Sequence, residues 1–238
     1  MQVMQSVQGR AWVESPDVSG TVDRRRRAYA GRVARDLDVH PHDPQPRAIA
    51  QLAEMLADDA LIAYPTDSGY ALGCRFGSTT GPERIRTIRR LDERHHFTLV
   101  CSEMAQLGHV VLLDNRAFRA IKAATPGPYT FILPATKEVP RRLAHPKKRT
   151  VGVRIPASRF VRSLLAEVGE PIVSSTLILP GDDQPLTEGW VVQSELDRAV
   201  DAIVDTGETG REPTTVVDWS DGEPDVVRVG AGDPSPFE

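Results

Sequence analysis

Apolar residues first recur with a regular period at Ile49, Leu52, Ala53 and Leu56. That is the spacing of one face of an amphipathic helix, ending near Ala57. Residues 60–64 follow as a short apolar, β-prone run and are read as a buried strand. Pro65 cannot donate to a strand ladder and is expected to stop it. Thr66-Asp67-Ser68-Gly69 comes next, so a strand runs into a polar turn. Sheets of α/β proteins hold ligands at such places. Each of these residues is also an ordinary turn former, so local chemistry alone leaves a plain turn open.

The same reading carries along the chain. Thr80-Gly81-Pro82-Glu83 has the spacing of a capping box with proline in the first turn. It opens a helix to about Leu91 with Ile85, Ile88 and Leu91 inward. Residues 97–101 are the next strand. Asp114 caps a helix bearing Phe118 and Ile121, which Pro126-Gly127-Pro128 breaks. Residues 129–133 are a strand. The basic, proline-punctuated stretch 137–149 reads as a loop or short helix. Residues 151–155 are a strand ended by Pro156, and 157–168 a helix with Phe160, Leu164 and Leu165 on one face and Gly169 at its end. Strand 171–176 runs out into Ser174-Ser175-Thr176. A polar loop is expected over 180–189, a helix over 195–202, and strands at 203–205, 213–218 and 225–229. Strands alternate with helices and no repeat is visible, so the class is mixed α/β.

Composition narrows the picture. The 238 residues, 40% hydrophobic and 26% charged, suit a globular protein with a sizeable core. No apolar run approaches the roughly 20 residues of a membrane helix, and the first residues lack a secretory h-region. A cytoplasmic protein without a membrane partner is therefore expected. Residues 1–36, rich in Gln, Ser, Gly and Arg and containing Arg24-Arg25-Arg26-Arg27, read as a disordered or mis-started N-terminal tail, and 37–238 as one domain. Cys74 and Cys101 sit in or beside apolar runs and are expected to be buried free thiols. The net charge of -4 supplies no general field for nucleic acid, and no DNA sequence recognition is expected.

Candidate chemistry gathers at strand ends: Thr66, Asp67 and Ser68; Arg154; Ser174, Ser175 and Thr176; Thr214 and Thr215 with Arg228. Hydroxyls and guanidiniums suit phosphate and carboxylate oxygens, which arginine can bind bidentately. Taken singly, each could equally be a turn cap or a solvated edge residue. Together they favour a site for an anionic small molecule. Other sites are weak. There is no Walker A sequence, and Gly230-Ala231-Gly232 opens no helix. His95-His96 with Cys101 lacks zinc spacing, and neighbours on a strand point to opposite faces, so no metal site is expected.

Several blocks resemble one family. They are the run Tyr64-Pro65-Thr66-Asp67-Ser68-Gly69-Tyr70-Ala71-Leu72-Gly73, then Pro126-Gly127-Pro128-Tyr129-Thr130-Phe131-Ile132-Leu133, Val153-Arg154-Ile155-Pro156, Pro213-Thr214-Thr215-Val216-Val217-Asp218 and Val227-Arg228-Val229-Gly230. From about Asp38 to the C-terminus, in order and spacing, they resemble the YrdC/TsaC/YciO family, and in detail its YciO branch. The resemblance implies a single open, twisted mixed sheet with flanking helices and a basic concave face. It implies condensation of L-threonine, bicarbonate and ATP to threonylcarbamoyl-AMP and pyrophosphate, for the N6-threonylcarbamoyl mark on adenosine 37 of tRNA. By that resemblance Thr66, Arg154 and Thr214 would hold threonine. Arg89, Thr130, Ser175, Thr176 and Arg228 would face the nucleotide, with Mg²⁺ on its phosphates.

Two departures stand out. Where the family's synthases carry Lys-x-Arg, this chain has Arg89-Arg90-Leu91; where they carry Ser-x-Asn, it has Thr176-Leu177-Ile178. Each lost polar contact is worth on the order of 1.5–3 kcal/mol, so together they imply a step slower by roughly a hundredfold or more. The alternative is a diverged paralogue that binds nucleotide, tRNA or double-stranded RNA through the clusters at 84–96 and 137–149.

Overall fold

The computed structural model describes residues 33–238 apart from 93, 94 and 208. The arginine run at 24–27, and the predicted tail before residue 33, lie outside the described residues. Ten strands and six α-helices build the described chain. The strands are β1 (Arg35–Asp38), β2 (Ile62–Thr66), β3 (Gly69–Arg75), β4 (Thr98–Val100), β5 (Tyr129–Pro134), β6 (Thr150–Arg154), β7 (Ile172–Thr176), β8 (Ala202–Asp205), β9 (Thr215–Asp218) and β10 (Asp225–Arg228). The helices are α1 (Pro46–Ala57), α2 (Gly81–Arg89), α3 (Met104–Val110), α4 (Asn115–Ala124), α5 (Arg159–Val168) and α6 (Gly189–Leu196). All strands join one sheet, in the order β1-β8-β2-β3-β7-β4-β6-β5-β9-β10. Parallel pairs (β1/β8, β2/β8, β4/β6, β5/β9) are combined with antiparallel ones, so the sheet is mixed and open.

Strand alternation sorts the core into two layers. Ala63, Leu72, Leu99, Phe131, Val153 and Val217 point to one face, where Ile85 of α2, Leu107 of α3, Ile121 of α4 and Val192 and Leu196 of α6 cover them. Ile62, Tyr64, Ala71, Val100 and Ile172 point to the other, under Ile49, Leu52 and Leu56 of α1 and Phe160, Leu164 and Leu165 of α5. Among the described residues this second layer contains nothing from β5, β9 or β10. The far half of that face therefore stays uncovered, and Thr98, Thr130, Ile132, Thr176 and Val216 on it are half-buried.

Several local expectations change. Pro65 does not end its strand; it pairs with Tyr70 inside β2. Tyr70 turns its N–H to the Leu186 carbonyl and its carbonyl to the Leu177 N–H, so nothing on β3 asks Pro65 for a donor. On the other side β8 pairs only with Ile62 and Ala63, so Pro65 lies beyond that ladder. The capping box does not form: the Thr80 hydroxyl donates to Asp59, Glu83 pairs with Arg86, and Ser78 Oγ accepts the Gly81 N–H instead. Asp114 does cap α4, accepting from the Ala117 N–H at 2.7 Å. Gly169 closes α5 at φ 74°, a left-handed conformation that costs glycine little. β1, β3 and α3 were not anticipated, and the predicted helix at 195–202 lies six residues earlier, as α6. Both cysteines are free and buried, and burial pushes each thiol up to about 12.

Candidate functional site

The uncovered face is the candidate site. Its floor is read from the register. Gly73 pairs with Ser174, Ser174 with Thr98, Thr98 with Gly152 and Gly152 with Ile132. Paired residues share a face, so small and hydroxyl side chains line a shallow surface. Gly152 has no room for more: a Cβ there would stand 3.1 Å from Thr98 Oγ1 and 3.5 Å from Thr130 Cγ2. Tyr64 closes one side, its hydroxyl 2.8 Å from Ser174 Oγ, and burial pushes its phenol up to about 12. Its ring is fully buried and lies over Gly73.

Charge enters at the ends of β6 and β10. Arg154 shares its row with Val100 on the same face and is buried. Its Nη2 donates to Asp67 Oδ1 at 2.5 Å, while its buried Nε has no protein partner. In the sheet order β3, β7 and β4 separate β2 from β6. Flat, those four spacings would span about 19 Å, more than the two side chains can bridge. The sheet therefore curls over this face, and the face is concave. Arg228 bonds the Thr214 carbonyl through Nε (3.0 Å) and Nη2 (2.8 Å), and Thr214 Oγ1 through Nη2 (3.1 Å). Thr214 Oγ1 lies 2.9 Å from Thr130 Oγ1. Burial, and then the nearby Arg154 charge, hold the Arg228 guanidinium below its usual range. Arg154 and Arg228 thus bring two nearby guanidiniums to this face, one of them paired with Asp67.

The residues proposed from sequence divide. Thr66, Thr130, Arg154, Thr176 and Thr214 share the concave face, and Arg228 is bonded to it. Ser175 does not: it pairs with Leu72 and turns to the opposite layer. There it meets Arg89, whose Nη1 donates to Ser175 Oγ at 2.5 Å and whose Nε reaches the Ile178 carbonyl at 3.3 Å. His95 Nε2 lies 3.3 Å from the same hydroxyl. Burial brings the Arg89 guanidinium down to about 10. Burial, then Arg89 and His96, brings the His95 imidazole to about 4. His96 turns the other way, to Thr150 Oγ1 at 2.9 Å and a stacked His145 ring. Thr66 is on the site but its hydroxyl is engaged: it donates to the Gly69 carbonyl (2.8 Å) and accepts the Ser68 N–H (3.0 Å).

Sequence reasoning named Asp67 without separating its role from the turn, and it named Ser174, Ser175 and Thr176 without separating their faces; it missed Tyr64 and Thr98. Period-two alternation was the available signal for setting Ser174 and Thr176 apart from Ser175. Pro65, Thr66 and Asp67 also border a cavity of about 330 Å³, with Ser158, Arg159 and Thr209. Of the two departures, Leu91 packs on the core and Ile178 is half-buried. Among the described residues no group of three or more His, Cys, Asp and Glu could hold a metal ion, and no helix is long and apolar enough to cross a membrane.

Fold and site together define an open-sheet α/β protein with a concave face of hydroxyls and guanidiniums. A family model, Sua5_yciO_yrdC, described as "Telomere recombination", matches residues 54–230. The chain belongs to this Sua5/YciO/YrdC family. It is 45% identical over 199 residues to the Escherichia coli (strain K12) protein described as "Uncharacterized protein YciO", covering 84% of this chain and 97% of that one. The crystal structure of E. coli YciO is similar with a TM-score of 0.84 at 44% identity, covering 86% of this chain and 100% of that chain. The crystal structure of P. abyssi Sua5 complexed with L-threonine is similar with a TM-score of 0.75 at 25% identity, covering 82% of this chain and 57% of that one.

Proposed function

We propose that the concave face binds L-threonine and ATP and that the chain makes threonylcarbamoyl-AMP from them and bicarbonate, as a step toward the N6-threonylcarbamoyl mark on tRNA adenosine 37. The observation that carries this is Arg154: a buried guanidinium with an unpartnered Nε, held by Asp67 and near Arg228, which with Thr130 and Thr214 forms a bonded group on the same face. A carboxylate would complete its hydrogen bonds. The relative complexed with L-threonine supports that choice of ligand.

The chemistry asks for positioning more than for unusual acids or bases. The threonine amine and bicarbonate give a carbamate and water. A carbamate oxygen then bonds the α-phosphorus of ATP as the α–β bridging bond breaks and pyrophosphate leaves. Holding carbamate and α-phosphate together, and offering cations to the developing charge, are the protein's parts. Arg154 would orient the amino acid, and Arg228 with Thr130 and Thr176 would face the nucleotide. Mg²⁺ would be held by the nucleotide phosphates and would neutralise their charge, asking no cage of protein carboxylates.

Incubation with labelled bicarbonate, L-threonine, ATP and Mg²⁺ tests the reading; no threonylcarbamoyl-AMP above a blank would overturn it. A double variant, Leu91→Arg with Ile178→Asn, is expected to be faster than the wild type. One set of contacts favours a second reading, a paralogue that binds these ligands without joining them. Leu91 is packed on the core and supplies no charge where the synthases have one. Binding of threonine and nucleotide by calorimetry, without product, would favour it. RNA is the weaker partner, since much of the basic cluster is spent internally: Arg84 pairs with Asp201, Arg86 with Glu83, and Arg142 bonds the Ser78 carbonyl.

A further inference from the structure

Asp67 sits at the tip of the β2–β3 turn and meets Arg154 from across the curl of the sheet. The contact is one-sided. Asp67 Oδ1 takes Arg154 Nη2 at 2.5 Å, whereas Oδ2 has only the Ala157 N–H, at 3.5 Å. On the arginine, Nη2 is used and the buried Nε is not. The pair is monodentate: it uses one of the arginine's N–H groups and leaves Asp67 Oδ2 with one long contact, and both side chains are held by a contact that is largely buried (10% and 20% exposed). Arg228 adds a second cation nearby and makes no ion pair among the described residues, which keeps the face attractive to a carboxylate.

We propose that Asp67 and Arg154 together recognise the zwitterion of a free α-amino acid, Asp67 accepting from the ammonium and Arg154 donating to the carboxylate. This rests on the reading that the concave face holds an amino acid, and adds the group that selects it. A carboxylate beside the arginine has an electrostatic cost for any purely anionic ligand: at about 6 Å and an effective dielectric of about 20, the like-charge repulsion weakens binding roughly a hundredfold. For a zwitterion the ammonium reverses that cost. Asp67 therefore selects amino acids against carboxylates that lack the amine, and it does so by repulsion as much as by attraction.

The two ligand types respond to loss of the charge in opposite senses, which a structural role for Asp67 does not. Binding of L-threonine and of N-acetyl-L-threonine, which is anionic and has no ammonium, is measured by calorimetry for the wild type, Asp67→Asn and Asp67→Glu. Asp67→Asn is expected to weaken L-threonine at least tenfold and to strengthen N-acetyl-L-threonine, while Asp67→Glu keeps the wild-type order. Parallel loss of both ligands, or L-threonine affinity unchanged within twofold, would overturn the inference and leave the amino-acid site standing. A wild type that binds no L-threonine would overturn both readings at once.

Discussion

Replacing Thr66 by valine separates the fold from the site at the residue where they overlap most. Valine keeps the volume and removes the hydroxyl. That hydroxyl makes two buried hydrogen bonds, to the Gly69 carbonyl and from the Ser68 N–H. Each is worth about 0.5–1.5 kcal/mol net, and more when the partner is left unsatisfied and buried. Thr66 is only 8% exposed, so water compensates little. The change should then cost about 2–3 kcal/mol. For a domain of this size each kcal/mol moves the midpoint by about 2–4 °C, giving a fall of roughly 5–10 °C. Thr66→Ser keeps both bonds and loses one methyl, about 0.8 kcal/mol. Thermal unfolding followed by circular dichroism, in one buffer and at one concentration, reads both. If Thr66→Val melts within about 2 °C of the wild type, its hydroxyl is not a turn staple. Its role would then be sought in ligand contact.

Two further expectations follow from the same geometry. Gly210 donates its N–H to the Thr66 carbonyl, and a Cβ on it would stand 1.9 Å from the Asp67 carbonyl oxygen; Gly210→Ala should destabilise by about 1–3 kcal/mol or more, seen as a lowered urea midpoint, and an unchanged midpoint would mean the segment does not lie on the turn. His95 is depressed to about 4 by burial and by Arg89, so below about 6.5 the unfolded chain takes up a proton that the folded one refuses until about pH 4. Stability should fall across that window, by at most about 1.4 kcal/mol per pH unit from this group, and His95→Gln should flatten the curve; equal slopes would show that other groups govern the acid limb.

Strands whose apolar residues alternate or run together were legible wherever a proline or polar turn bounded them, as at β2, β5, β6, β7 and β9. β3 was not. Gly69-Tyr70-Ala71-Leu72-Gly73-Cys74-Arg75 is buried on both faces, so it shows no period-two contrast, and its glycines read as turn residues. β1 is short, charged and largely exposed, and is a strand only because β8 offers it a parallel edge. The predicted capping box met a competing acceptor: Asp59 takes the Thr80 hydroxyl, and such a long-range partner cannot be seen in a local motif.

By itself the order of residues determined the α/β class, the polar ends of the strands and the identity of the groups that gather there, because strand periodicity and the chemistry of hydroxyls and guanidiniums are local properties. Which groups meet was decided by tertiary structure. Alternation about β7 sends Ser174 and Thr176 to the concave face and Ser175 with Arg89 to the opposite one, and that depends on register, which β3 and β4 set together. The curl that brings Asp67 to Arg154 over three intervening strands depends on the twist of the whole sheet and on α5 covering only half of it. No window of sequence contains that pairing, because its two members lie 87 residues apart.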